Sequence, residues 1–202
     1  MPLITPSTAA TPLGEDRAFD TALDRAADAE AARRAGTVLH VLLQHLPAIA
    51  PDERLRVAEK SLAALLPEAP AQHAALAEKA LAILANPAFA ELFGPDSRGE
   101  VPFLIEARRD GLPVRLGGRI DRLVVAKGEV LVVDYKSDAN PPGAASGVSR
   151  PYLTQVGLYA YVASQLFPGQ VVKAGILWTS LESLMILPPA ALREVVSAFT
   201  MQ

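Results

Sequence analysis

"GGRIDRLVVAKGEVLVVDYKSD", residues 117–138, decides how this chain is read. Its two apolar runs flank Lys127–Gly128 and have the make-up of core strands, short and rich in Val, Leu and Ile. Yet Asp121 heads the first run, and Asp134 and Lys136 close the second. Side chains of a strand alternate between two faces, so Asp134 and Lys136 emerge together while Tyr135 points the other way. With Lys127–Gly128 as the centre of a hairpin, Asp121 faces Asp134 across the ladder. Like charges placed opposite one another destabilise a sheet. Two buried carboxylates raise one another's pKa unless a cation sits between them, and a divalent metal ion would resolve the conflict. The simpler alternative is an exposed strand end with Lys136 ion-paired on an open face, and the pattern in isolation does not separate the two.

The composition narrows the rest. The chain has 202 residues, 50% of them hydrophobic, with a mean hydropathy of +0.23, enough to bury a sizeable core. It has no cysteine. Disulfides, a thiolate nucleophile, thiolate-bound zinc and an iron–sulfur cluster are therefore excluded. No apolar run approaches the ~20 residues that span a bilayer, and the opening "MPLITPSTAATPLGEDR" lacks the layout of a secretion signal. The expectation is a cytoplasmic protein with no membrane partner. A net charge of −3 and a pI near 5.6 argue against a free-standing nucleic-acid binder held by counterion release.

Along the chain, residues 1–14 read as a flexible leader and 15–98 as a helical part. A helix is expected from Glu15 to Pro47, with Gly36 either breaking it or marking a close backbone contact. Two Ala-rich amphipathic helices should follow, over 51–67 and 71–93. At Gly99 the pattern changes to strands separated by glycine turns. Residues 139–151 form a Gly/Pro/Ser-rich loop, 152–168 a helix, 170–180 a strand, 182–188 a further short strand, and 189–199 a closing helix. The fold class is α/β: a mixed sheet core over 99–202, flanked by helices, with a helical N-terminal part. The ragged start and the lack of helicase motifs suggest a module of a longer polypeptide.

"GRIDRL" followed by "VVDYKS" resembles the signature of RecB-like nucleases in the PD-(D/E)xK, restriction-endonuclease-like superfamily. Three further segments are similar in the same order. "GTVLHVLLQHLP" offers His40, "GEVPF" offers Glu100, and "YLTQVGLYAYV" offers Gln155 and Tyr159. The resemblance covers roughly residues 30–192 and is strongest to the C-terminal nuclease domain of AddA-type helicase–nuclease subunits. It implies a metal-dependent DNA nuclease, an exonuclease in preference to an endonuclease, that processes double-strand ends for recombinational repair.

The same resemblance implies Mg²⁺ or Mn²⁺ held by His40, Asp121, Asp134 and the backbone carbonyl of Tyr135, with Glu100 behind them. Lys136, Gln155 and Tyr159 complete the catalytic set, and His45 and His73 stay outside it. The implied partners are a single strand threaded from a DNA end, a helicase domain of the same natural polypeptide, and an AddB-type subunit. Arg108, Arg109, Arg115, Arg119 and Arg122 are expected phosphate contacts. Where relatives carry Thr and a nearby basic residue after the lysine, this chain has Ser137, Asp138, Ala139 and Asn140. The competing readings are a catalytically silent domain used for DNA guidance or subunit docking, and a different metal-dependent hydrolase on a similar sheet.

Overall fold

The computed structural model describes residues 1–9, 23–197 and 199–200. They fall into two compact units, Asp16–Pro95 and a second that joins residues 1–15 to Asp96–Gln202. The first is helical. Its α1 (Leu23–His45), α2 (Arg54–Leu65) and α3 (His73–Ala85) pack on one another. Gly36 does not break α1 but lies buried within it, and Val38, Leu39, Leu42 and Leu43 form the buried face. The expected start of this helix at 15–22 lies outside the described residues. The third helix stops at Ala85, eight residues sooner than its composition suggests. Pro87 disfavours helical geometry at Asn86, and the Asn86 side chain accepts from Ala88 N at 2.9 Å to start a separate short turn.

The second unit is built on a seven-stranded mixed sheet. Besides β1 (Leu3–Ile4), its strands are β2 (Ser97–Arg109), β3 (Leu112–Ala126), β4 (Glu129–Lys136), β5 (Val171–Trp178), β6 (Ser183–Ile186) and β7 (Phe199–Thr200). Six run in the order β6-β5-β4-β3-β2-β7, and β1 pairs with the outer half of β3. Among the described residues, β4–β5 and β1–β3 are the parallel pairs. The crossover from β4 to β5 is α4 (Arg150–Leu166), with Pro151 in its first turn, a position where a missing N–H costs nothing. Val156, Tyr159 and Ala163 of α4 pack on Val130 and Val132 of β4 and Ala174 and Ile176 of β5. This is the mixed α/β core expected from the order of strands and helices, and it is consistent with the restriction-endonuclease-like fold that the resemblance implies.

Two ends of the chain differ from expectation. Leu3–Ile4 is not loose leader but a strand on β3, with Ile4 buried, while the remaining leader residues from 10 lie outside the described set. The last helix, α5 (Pro189–Val195), is shorter than expected, and Phe199–Thr200 turns back to pair with Arg108 and Arg109 on β2. A two-residue strand has no period to read, which is why neither was visible.

Gly175 of β5 shows how tightly the sheet closes, since a Cβ there would stand 2.7 Å from the Met185 carbonyl oxygen on β6. Gly175→Ala should cost about 2 kcal/mol in urea unfolding, the penalty of overpacking against backbone. Gly143→Ala, where a Cβ meets open space, should stay within about 0.5 kcal/mol. Equal stability of the two variants would show that β5 and β6 are not packed this closely.

Candidate active site

The site grows from an interruption in the ladder. On one side of β3 the pairs run from Ala126 opposite Glu129 to Arg122 opposite Val133, and there they stop. Asp121 and Asp134 are the next residues on each strand. On the other side the register sets Gly99 against Arg122 and Val101 against Ile120 and passes over Glu100 and Asp121 between them. Glu100 has φ 51, a left-handed conformation uncommon for a residue with a side chain. Ile120 and Leu123 both enter the core beneath α4, so the alternation of β3 slips by one place around Asp121.

Asp121 replaces a ladder bond with its own side chain, its Oδ2 accepting from Tyr135 N at 2.8 Å. Burial pushes its carboxyl up to about 6. The Tyr135 N–H and the Lys136 charge oppose that rise, and Glu100 adds to it. Glu100 also stands 3.8 Å from the Arg119 guanidinium.

Asp134 and Lys136 share a face, as two-residue spacing in a strand requires. Asp134 is 1% exposed, and its Oδ2 lies 2.7 Å from Lys136 Nζ. Gln155 of α4 spans the pair: Oε1 accepts from Lys136 Nζ at 2.9 Å, and Nε2 donates to Asp134 Oδ1 at 2.8 Å. Turning the amide over would set oxygen against carboxylate and NH₂ against ammonium, so the network admits one orientation. One turn along, the Tyr159 hydroxyl accepts from the same Nε2 at 3.1 Å. Burial raises the Tyr159 phenol above its ordinary range, and its ring meets Phe103 edge-on at 6.0 Å. Tyr159 is thus a core residue and a member of the polar network at once.

Tyr135 points to the opposite face, where its hydroxyl accepts from Arg122 Nε at 2.8 Å. Arg122 is 3% exposed. Its expected contact with phosphate is therefore corrected, because a guanidinium buried on a tyrosine is not presented to a polyanion. Arg109 is half-buried over the Phe199 ring at 5.5 Å, while Arg108, Arg115 and Arg119 are exposed. His40 lies half-buried on α1 in the helical unit. His73 there bonds Leu66 O through Nε2 at 2.8 Å, a structural role.

Two residues next to Lys136 went unread in the sequence. The Tyr152 ring lies 4.6 Å from Lys136 Nζ, and the Tyr152 hydroxyl donates to both Asp138 oxygens at 3.1 Å. Tyr152 is three residues before Gln155 and shares its helix face, which is the signal that could have found it.

Among the described residues no group of three or more His, Asp or Glu side chains is close enough to hold an ion by itself. The donor chemistry nonetheless fits a hard divalent cation, which takes oxygen ligands and keeps several waters. The charged form of Asp121 is disfavoured where it stands, which is the condition that an added positive charge relieves.

Residues 16–198 match the family model of the PD-(D/E)XK nuclease superfamily. Among solved structures, one described as the crystal structure of SSO0001 matches with 16% identity and a TM-score of 0.36, over 65% of this chain and 68% of that one. A likeness that distant carries no argument about this site. No curated protein matches the chain.

The raised Asp121 carboxyl has a measurable sign. Its folded pKa, about 6, lies above the 3.8 of a free carboxyl, so its contribution to stability falls as pH rises through that window. In chelator at pH 7, Asp121→Asn should be more stable than wild type by on the order of 1 kcal/mol, with the gain vanishing toward pH 4. Denaturant titrations at the two pH values measure it. A variant less stable than wild type at both would refute the assignment.

Proposed function

Because the chain belongs to the PD-(D/E)XK nuclease superfamily, we propose that it hydrolyses DNA phosphodiester bonds at the end of β3 and β4, as an AddA-type, RecB-like module that processes double-strand ends for recombinational repair. Nucleases of this superfamily are generally metal-dependent. The observation that carries the proposal is the closed network of Asp134, Lys136 and Gln155 beside a carboxylate, Asp121, that has left the ladder.

Asp121, Asp134 and the Tyr135 carbonyl would hold Mg²⁺ or Mn²⁺, with His40 as a further ligand from α1. When bound, such an ion lowers the pKa of water and neutralises charge on a phosphate. The remaining chemistry belongs to the protein. In hydrolysis a water oxygen bonds to phosphorus while a phosphorus–oxygen bond to sugar breaks, and negative charge gathers on the phosphate oxygens. The Lys136 ammonium, fixed at the mouth of the site, offers a positive charge to those oxygens and orients the water. Gln155 holds Lys136 and Asp134 in mutual register, Tyr159 braces Gln155 from the core, and Glu100 would stand behind Asp121 as a further carboxylate near the ion.

The acidic net charge fits a module to which DNA is delivered by a helicase domain of the same polypeptide and an AddB-type subunit, so that it need not grip DNA tightly. Delivery of one strand from a duplex end favours exonucleolytic cutting. A silent, DNA-guiding domain is the weaker reading, because the acidic pair and the lysine are all present and joined.

Linear single- and double-stranded DNA should be degraded in Mg²⁺ or Mn²⁺ and spared in chelator. Asp134→Ala and Lys136→Ala should each lower the rate by about 100-fold or more. Mn²⁺ should raise the melting temperature of wild type and much less that of Asp121→Asn, through ligand-linked stabilisation. Wild-type rates in both alanine variants would end the proposal.

A further inference from the structure

Lys136 is held by more than its two polar partners. We infer that Tyr152 and Asp138 are positioning residues for Lys136: the Tyr152 ring, anchored through its hydroxyl to the Asp138 carboxylate, is the seat on which the ammonium rests. The consequence for rate rests on the proposed nuclease role of Lys136, while the seat itself rests on geometry alone.

Lysine is a poor reagent unless restrained, since its charge rides on a flexible four-carbon stem. Three groups restrain this one. Asp134 Oδ2 at 2.7 Å forms the ion pair, Gln155 Oε1 at 2.9 Å accepts the hydrogen bond, and the face of Tyr152, 4.6 Å from Nζ, takes a further side. An aromatic face attracts a cation through its quadrupole, most strongly where water is thinned out, and the Lys136 side chain is only 17% exposed.

The ring can serve as a seat because it is itself fixed. Its hydroxyl donates to both oxygens of Asp138 at 3.1 Å, and its other neighbour is the fully buried Trp178, with ring centroids 6.1 Å apart. Burial, then the Asp138 carboxylate, push the phenol up to about 12, so it remains a donor at neutral pH. Asp138 is fixed in turn. Ser180 Oγ donates to Asp138 O at 2.6 Å, and Thr179 N donates to Lys136 O at 2.8 Å. The segment that follows the lysine is thereby stitched to the end of β5. Tyr152 and Gln155, three apart on α4, grip Lys136 from one helix face.

Two measurements decide the inference. In protein carrying ¹³C at the lysine ε position, the Lys136 ε protons, assigned by their loss in Lys136→Arg, should be shifted upfield of the other four lysines by the ring current. Tyr152→Leu should abolish the shift, while Tyr152→Phe and Asp138→Asn, which both disturb the hydroxyl–carboxylate anchor, should weaken it without emptying the core. In DNA hydrolysis, Tyr152→Leu should lose about tenfold in kcat with KM nearly unchanged, and Tyr152→Phe should recover most of that loss. Ordinary Lys136 shifts in wild type would overturn the inference, as would a Tyr152→Leu protein with unchanged shift and kcat. An inactive wild type would sink the nuclease proposal instead, and the proton shifts would still decide the seat.

Discussion

A β-sheet tolerates a carboxylate in its interior only where something replaces the ladder bond or tempers the charge, and at Asp121 the Tyr135 N–H does the first while Lys136 and Arg122 contribute to the second. The register of β3 passes over this residue on both sides, and the Asp121 side chain accepts from the Tyr135 N–H. Burial and Glu100 work against its charge, and the Tyr135 N–H, Lys136 and Arg122 favour it. The left-handed Glu100 and the slipped alternation between Ile120 and Leu123 follow from the same break. Strain of this kind collects where a fold holds groups ready for chemistry.

The second constraint is that Asp134 and Lys136 cannot be separated from α4. A carboxylate that is 1% exposed needs both a counter-charge and hydrogen bonds. Lys136 supplies the first, and Gln155 the second. Because Gln155 reaches both, the position of α4 over β4 and β5 sets the spacing of the charged pair. The apolar contacts of Val156, Tyr159 and Ala163 that seat the helix are therefore part of the site's geometry. Packing and chemistry share one helix here, and Tyr159 serves both.

How much of this is visible in a sequence depends on how local the cause is. The register of the β3–β4 hairpin is local: Gly128, with φ 83, places the turn, and everything from Ala126 to Arg122 follows by counting. The shared face of Asp134 and Lys136 is likewise a matter of spacing. Gln155 and Tyr159 are local to each other, but that they reach Asp134 depends on α4 crossing over β4, which the strand–helix–strand order suggests and residue type does not. Tyr152 and Asp138 are fourteen residues apart across a loop. Nothing in either identity points to the other. Arg122 misled because arginine reads as surface by type, whereas here a buried tyrosine hydroxyl gives it a partner. Leu3–Ile4 and Phe199–Thr200 were hidden because strands of two residues carry no period.

The two faces of β4 divide the work of holding these charges. On the face toward α4 lie Asp134 and Lys136, tied into an amide, a carboxylate and an aromatic ring. On the other lies Tyr135, whose hydroxyl holds Arg122 while its N–H, in the plane of the sheet, holds Asp121. Tyr135 thus links the charged groups of both faces through one residue. Burial raises its phenol to about 12, so the hydroxyl stays neutral beside a guanidinium. A second carboxylate in its place would have paired Arg122 directly, at the cost of one more negative charge next to Asp121. The choice of tyrosine keeps Arg122 available to temper Asp121, one of the few positive influences that carboxyl has. Short of a metal ion, that is how the fold accommodates the buried Asp121 carboxyl.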